Sequence, residues 1–331
     1  MKKHGFLILL AMLLGFAFTP GRAVGNSFSG QATVVQATVL GFQQITLGNA
    51  GPLPPEGGNQ EDSLLNVSVP GLLSAGVLHA AAVAMGDASR AEASVATLDV
   101  TAAGNSIGAD FLMARAAAYC GQGGASVAGS SEILGLMING QSIAVTGEPN
   151  QTIFLPPPTG GKVVINEQSQ AVQGNSGDIT VTALHVVIPG IADVAVSRAH
   201  ADIKCTGKAC PSDKDFVTGG GRINPDDGKA TFGVAGGIKN GGFWGHLTYI
   251  DHVSGMKVKG TGVTAYEILS DTRRRIKGNC EINGQTGYTY TVEVDDAGEP
   301  GRGDTFDIQL SNGYHAANNL AGGNIQLHTC K

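Results

Sequence analysis

The sequence predicts an all-β protein, built as two β-sandwich-like domains in tandem behind a signal peptide. Three observations carry that reading. Fifty of the 331 residues are glycine and only 15% are charged, a profile that suits short strands and tight turns better than helices. Runs that alternate apolar and polar residues recur, separated by Gly, Pro, Asn or Asp. Composition changes near residue 210, dividing the chain into 24–209 and 210–331.

Residues 1–23 read as an export signal. Lys2 and Lys3 form a positive start, Phe6 to Phe18 is apolar, Pro20 breaks the run, and Gly21-Arg22-Ala23 supplies the small residues of a cleavage site. The apolar run is short for a bilayer span, and no integral membrane segment is expected after cleavage. Removal of Lys2, Lys3 and Arg22 leaves 18 basic against 27 acidic residues, a net charge of −9. That balance argues against a nucleic-acid partner. The expected location is secreted, extracellular or attached to the cell surface, with the periplasm as an alternative.

Residues 24–209 hold five aromatics, six basic and 13 acidic residues; residues 210–331 hold ten, 12 and 14. In the first half, Val77 to Ala118 is rich in alanine and reads as helix by propensity. Ser94 to Val100 alternates with period two, and Gly86, Gly104 and Gly108 interrupt a helix, so strands are expected. Ile179 to Ile188, Pro189-Gly190 and Asp193 to Ile203 form a hairpin. The expected register pairs His185 with Val196. In the second half, Phe243–Asp251, Met256–Val263, Tyr288–Val294 and Asp304–Leu310 alternate, which fits a sandwich or a barrel.

Several segments resemble a bacterial family. Gly51-Pro-Leu-Pro-Pro-Glu-Gly-Gly58, Val69-Pro-Gly-Leu-Leu-Ser-Ala-Gly76, Ile138-Asn-Gly140, Val163-Val-Ile-Asn-Glu-Gln168 and Ala199-His-Ala-Asp-Ile203 are similar to the choice-of-anchor P domain over residues 28–205. Phe216-Val-Thr-Gly-Gly-Gly221, Gly228-Lys-Ala-Thr-Phe-Gly233, Lys257-Val-Lys-Gly-Thr-Gly262 and Gly323-Asn-Ile-Gln-Leu-His328 resemble the domain that commonly follows it, over 215–329. The resemblance implies an exported, β-rich bacterial surface or extracellular protein without an established activity.

Five cysteines lie beyond the signal. Cys120 and Cys205 end strand-like segments in the first half, and Cys280 and Cys330 do so in the second, so bridges within each half are expected. Cys210 is left over, and a Cys205–Cys210 bridge is the competing assignment.

Candidate ligand residues are few. Trp244, His246 and Tyr249 offer a sugar-stacking surface, with core packing as the plain alternative. Asp295, Asp296, Glu299 and Asp304 surround a glycine loop and suit calcium, with an exposed acidic turn as the alternative. His185 and His200 sit with valines in an alternating pattern and read as buried, hydrogen-bonded histidines rather than metal ligands. Gly174-Asn-Ser-Gly-Asp178 echoes a serine nucleophile turn without a base in a helpful context, and reads as a polar turn.

The expected function is therefore an exported, non-catalytic structural or interaction protein, with an envelope, matrix or glycan partner and no resident cofactor apart from calcium. A carbohydrate- or calcium-binding module is the rival, and an unrecognised hydrolase the third reading.

Overall fold

The structure is a computed structural model that describes residues 25–41, 44–158, 160–206, 215–225, 228–239 and 241–329. The signal segment 1–23, Cys210 and Cys330 lie outside the described residues. All regular structure in the described residues is β.

The chain opens with β1 (Gln31–Val39) and β2 (Ile45–Ala50). A meander follows: β3 (Gly58–Val69), β4 (Leu73–Met85), β5 (Ala88–Ala102), β6 (Asn105–Gly121) and β7 (Gly124–Leu134). The short β8 (Met137–Ile138) and β9 (Gln141–Ser142) lead to β10 (Gln151–Phe154), β11 (Lys162–Gln173), β12 (Ser176–Ile188) and β13 (Ala192–Lys204). These strands make two sheets. One has six strands in the order β10-β11-β12-β13-β1-β2; the other has seven, β3-β4-β5-β6-β8-β9 with β7 also on β6.

The seven-stranded sheet is the middle layer of the molecule. One face packs on the six-stranded sheet through residues such as Leu78, Val95 and Leu112. Its other face meets the second half of the chain through Val77, Ala96, Phe111 and Met113, which cluster with Ile250. Strands covered on both faces lose polar alternation and read as continuous apolar runs. That explains Leu78 to Ala84, seven consecutive buried residues, and the alanine content that made this segment look helical.

The second half takes the barrel form of the two that its alternation fits. Strands β14 (Asp215–Ile223), β15 (Ala230–Lys239), β16 (Gly242–Asp251), β17 (Met256–Ile268), β18 (Arg273–Ile282), β19 (Gln285–Asp295), β20 (Thr305–Leu310) and β21 (His315–Thr329) close into an eight-stranded barrel. The closing seam pairs β14 with β21, from Asp215↔Thr329 to Ile223↔Leu320. Midway along it Gly219-Gly220-Gly221 runs against Ile325, Asn324 and Gly323. A Cβ at Gly221 would stand 2.6 Å from the Gly322 carbonyl, so side chains there would hold the edges apart. Phe232 and Phe306 stack in the lumen with centroids 3.8 Å apart, beside Tyr249 and Tyr290. Arg274 is buried at one end and forms a bidentate ion pair with Asp215 at 2.7 and 2.6 Å, while Arg273 and Arg275 face Glu293 outside.

Cys120 and Cys205 form a disulfide. It joins the end of β6 to the residue after β13, and so staples the two sheets together; Cys205 is not free for Cys210. Cys280 carries a free, buried thiol among the described residues; its expected partner Cys330 lies outside them. The Cys280 side chain faces the barrel lumen, and burial pushes its pKa up.

Replacing Cys120 and Cys205 together by Ser should lower the unfolding free energy by about 4.6 kcal/mol, the chain-entropy value for a loop of this 85-residue separation. Urea unfolding of the oxidised protein and the double variant measures the difference. A loss below about 1 kcal/mol would show that the sheets hold without the staple.

Candidate functional site

The exposed face of the six-stranded sheet is shaped by a transverse crease. Strand β13 buries Ala192, Val194 and Val196 on one side of Ser197, and Ala199, Ala201 and Ile203 on the other. Ser197 has φ 54°, Asn166 on β11 has 52° and Gly48 on β2 has 60°. One left-handed residue in a strand swaps which side chains face the core. The swap occurs at one level, since the register runs unshifted across it: Thr33↔Arg198 and Val35↔Val196 on one side of β13, Thr182↔Arg198 and Leu184↔Val196 on the other. Asn66 and Thr97, with φ 51° and 55°, mark a similar irregularity in the seven-stranded sheet.

Two adjoining depressions of about 640 and 490 Å³ lie along the crease and share Gln36, Thr180 and Arg198. Pairing sets their side chains in rows. One row runs Asn49, Thr33, Arg198, Thr182, Glu167; the next runs Gln31, His200, Thr180, Ser169. At the margins the polar groups are satisfied by one another. His185 contacts Glu167 at 2.7 Å and Asp193 at 2.9 Å, His200 contacts Asp178 at 3.0 Å, and Asn49 accepts from Gln31 and Thr33 at 2.8 Å each. At the centre, the side chains of Gln36, Thr180, Thr182 and Arg198 have no hydrogen-bond or ion-pair partner among the described residues.

This arrangement corrects the histidine expectation. Unbroken alternation would put His185 with Val181, and His200 with Val194 and Val196. The crease sends those valines inward and both histidines outward, where each is half-buried against carboxylates. His185 pairs with Ala195, one residue from the expected partner.

The other predicted site residues are placed as follows. Tyr249 is fully buried in the barrel lumen and donates to or accepts from Tyr314 at 2.7 Å, on the opposite strand face from Trp244 and His246. Trp244 packs on Phe216 with centroids 5.6 Å apart. The three do not form a stacking surface, because alternation along β16 divides them. Asp304 is buried and accepts from the amides of Ala297 and Ile325; Asp296 accepts from Gly298 and Leu327. Glu299 accepts from Asn324 and Gln326, and Asp295 faces Arg273. These carboxylates brace the 296–304 loop against β21, and no group of three His, Cys, Asp or Glu converges on a metal position among the described residues.

No family model matches the chain, and no characterised protein does. A solved structure from Nitrosomonas europaea, provisionally named AttH, aligns over 96% of this chain and 99% of its own at 10% identity, with a TM-score of 0.19. At that score the likeness carries no argument about fold or function. The resemblance to choice-of-anchor P domains rests on the sequence motifs alone.

A second polar group joins the barrel to the middle sheet. Ser63 Oγ lies 2.9 Å from His79 Nδ1 and 2.6 Å from His246 Nε2, and His246 Nδ1 is 3.6 Å from Glu61. His79 is fully buried and its Nε2 stands 3.8 Å from Glu92, also buried. The spacing of Ser63, His246 and Glu61 imitates a nucleophile, base and orienting carboxylate. The serine is half-buried, however, and its Oγ is wedged between two imidazoles and the backbone of β15. A Cβ at Gly233 would stand 3.3 Å from its Oγ and 3.1 Å from His79 Cβ. The group acts as a latch between the halves. His246 stands 183 residues from Ser63 in sequence, so nothing in the sequence pattern announced the group.

Burial holds the pKa of His79 well below its ordinary value near 6.5, and the nearby His246 acts in the same direction. Burial pushes Glu92 up from 4.5 to about 8, with Glu299 adding to the rise and Arg115 opposing it. Glu92 binds its proton more tightly folded than unfolded, so its contribution is full below 4.5 and is lost as pH rises toward 8. His79 has the opposite sign: its contribution is full above 6.5 and is lost as pH falls. Between 4.5 and 6.5 the two offset each other. Above 6.5 only the Glu92 loss continues, so stability should fall from pH 6.5 to 8, and Glu92→Gln should flatten that limb. Chemical unfolding at each pH tests this, and an unchanged slope in Glu92→Gln would refute it.

Proposed function

We propose that the protein is an exported, non-catalytic binding and structural protein of the cell surface or extracellular matrix. The polar groove on the outer sheet carries this reading: unspent hydrogen-bonding side chains are presented on a stiff, two-layer scaffold with its sheets covalently stapled. A groove without apolar anchors suits a polar partner better than a protein interface, which is anchored by buried aromatics. The export signal expected at 1–23 and the Cys120–Cys205 bridge support an oxidising compartment. A calcium-binding module is the weaker alternative, because the carboxylates of the 296–304 loop are already hydrogen-bonded to backbone and side-chain amides.

Fractionation of a producing strain should recover the mature chain outside the cytoplasm, with its N-terminus near Val24. The purified protein should bind isolated envelope or matrix material and hydrolyse no member of an ester, peptide and glycoside panel. A cytoplasmic protein retaining Met1, or a hydrolysis lost on Ser63→Ala with the fold intact, would overturn the proposal.

A further inference from the structure

We infer that the crease groove binds an uncharged, hydroxyl-rich polysaccharide, with Gln36, Thr180, Thr182 and Arg198 as the contact residues. The inference rests on the binding role proposed above and names its ligand. These four side chains belong to β1, β12 and β13, which are neighbours in the sheet. They span about 10 Å, two strand spacings. At the margins of this groove the polar groups bond one another. The four central side chains, of which Arg198 is exposed and Gln36 and Thr180 half-buried, keep their donors and acceptors open to a ligand.

Their chemistry selects the ligand. Threonine hydroxyls and a glutamine amide both donate and accept, and a guanidinium presents five donors in a plane. A sugar hydroxyl also donates and accepts, so a polyol answers every member of the set. Apolar ligands are disfavoured, since Ala195 is the sole aliphatic side chain among the lining residues. Charge decides between neutral and acidic polymers. Glu167, Asp178 and Asp193 flank the groove, and Arg198 is the one guanidinium that lines it. The histidines beside the carboxylates reduce their field without reversing it. A polyanion would meet three carboxylates for one arginine, while a neutral chain meets no such repulsion.

Length also matters. The two depressions adjoin and share three residues, so the site is a channel across the sheet rather than a closed pocket for one ring. A polymer threading along it would be held at several units and weakly at each. Monosaccharides should compete poorly.

The test is affinity electrophoresis of the mature, oxidised protein in native gels containing a β-glucan, a galactomannan or dextran, and in parallel gels containing alginate or polygalacturonate. At least one neutral polymer should retard the protein. Arg198→Gln, at an exposed position, should weaken that retardation about tenfold, the effect of losing a charged hydrogen bond. Thr180→Val should weaken it less, and Trp244→Ala should leave it unchanged. Thermal melts of each variant confirm the fold. Retardation by acidic polymers alone, by none of the polymers, or to the full extent in Arg198→Gln would overturn the inference. Envelope material stripped of polysaccharide separates this result from the broader proposal. Capture by stripped envelope without any polysaccharide retardation keeps a binding role and ends the glycan assignment, and capture by neither ends both.

Discussion

A β-sheet that buries one face has to send the same side of every strand inward, and the six-stranded sheet does so twice with opposite choices. On one side of the crease it buries Val194 and Val196; on the other it buries Ala199 and Ala201. Neighbouring strands can reverse only together. If one strand alone flipped, its polar outer residues would be driven into the core beside correctly placed neighbours. The coordination of Gly48, Ser197 and Asn166 is thus a condition for the sheet to exist, and the groove is its outward expression. Arg198 reaches solvent because it follows Ser197; without the reversal its position would alternate inward.

Contact between the barrel and the middle sheet depends on glycines in a different way. Gly220 and Gly233 present bare backbone to His79, and a Cβ at Gly220 would come 2.7 Å from Ser94 Oγ. The close approach lets an imidazole with no exposed surface sit between two β layers. Glu92 is buried in the same region, and burial pushes its pKa up to about 8.

The sequence made the β class legible through glycine content and alternation, and it identified the Cys120–Cys205 pair. The alanine-rich segment was readable as strand only through Ser94 to Val100, because strands covered on both sides lose their period. The crease was illegible: period-two reasoning carries the same face through Ser197, and a serine gives no notice of a positive φ. Asn166 is the better clue, as asparagine adopts that region more readily than most residues. Alternation left sandwich and barrel open for the second half, because it describes a strand and not how its ends meet. Tyr249 failed as a surface residue for a simpler reason. It stands five positions from Trp244, an odd number, and so points to the other side of β16.

Cys280 gives the barrel a part in the chemistry of maturation. Disulfide exchange proceeds through a thiolate that can reach its target, and a thiol sealed in the lumen with a raised pKa supplies neither the charge nor the access. While the barrel is open, the same sulfur is a competitor for Cys120 or Cys205. Closure of the seam between Asp215 and Thr329 withdraws it. The order of events during folding then governs the yield of correctly bridged protein: a barrel that shuts early protects a bridge that lies entirely in the other half of the chain.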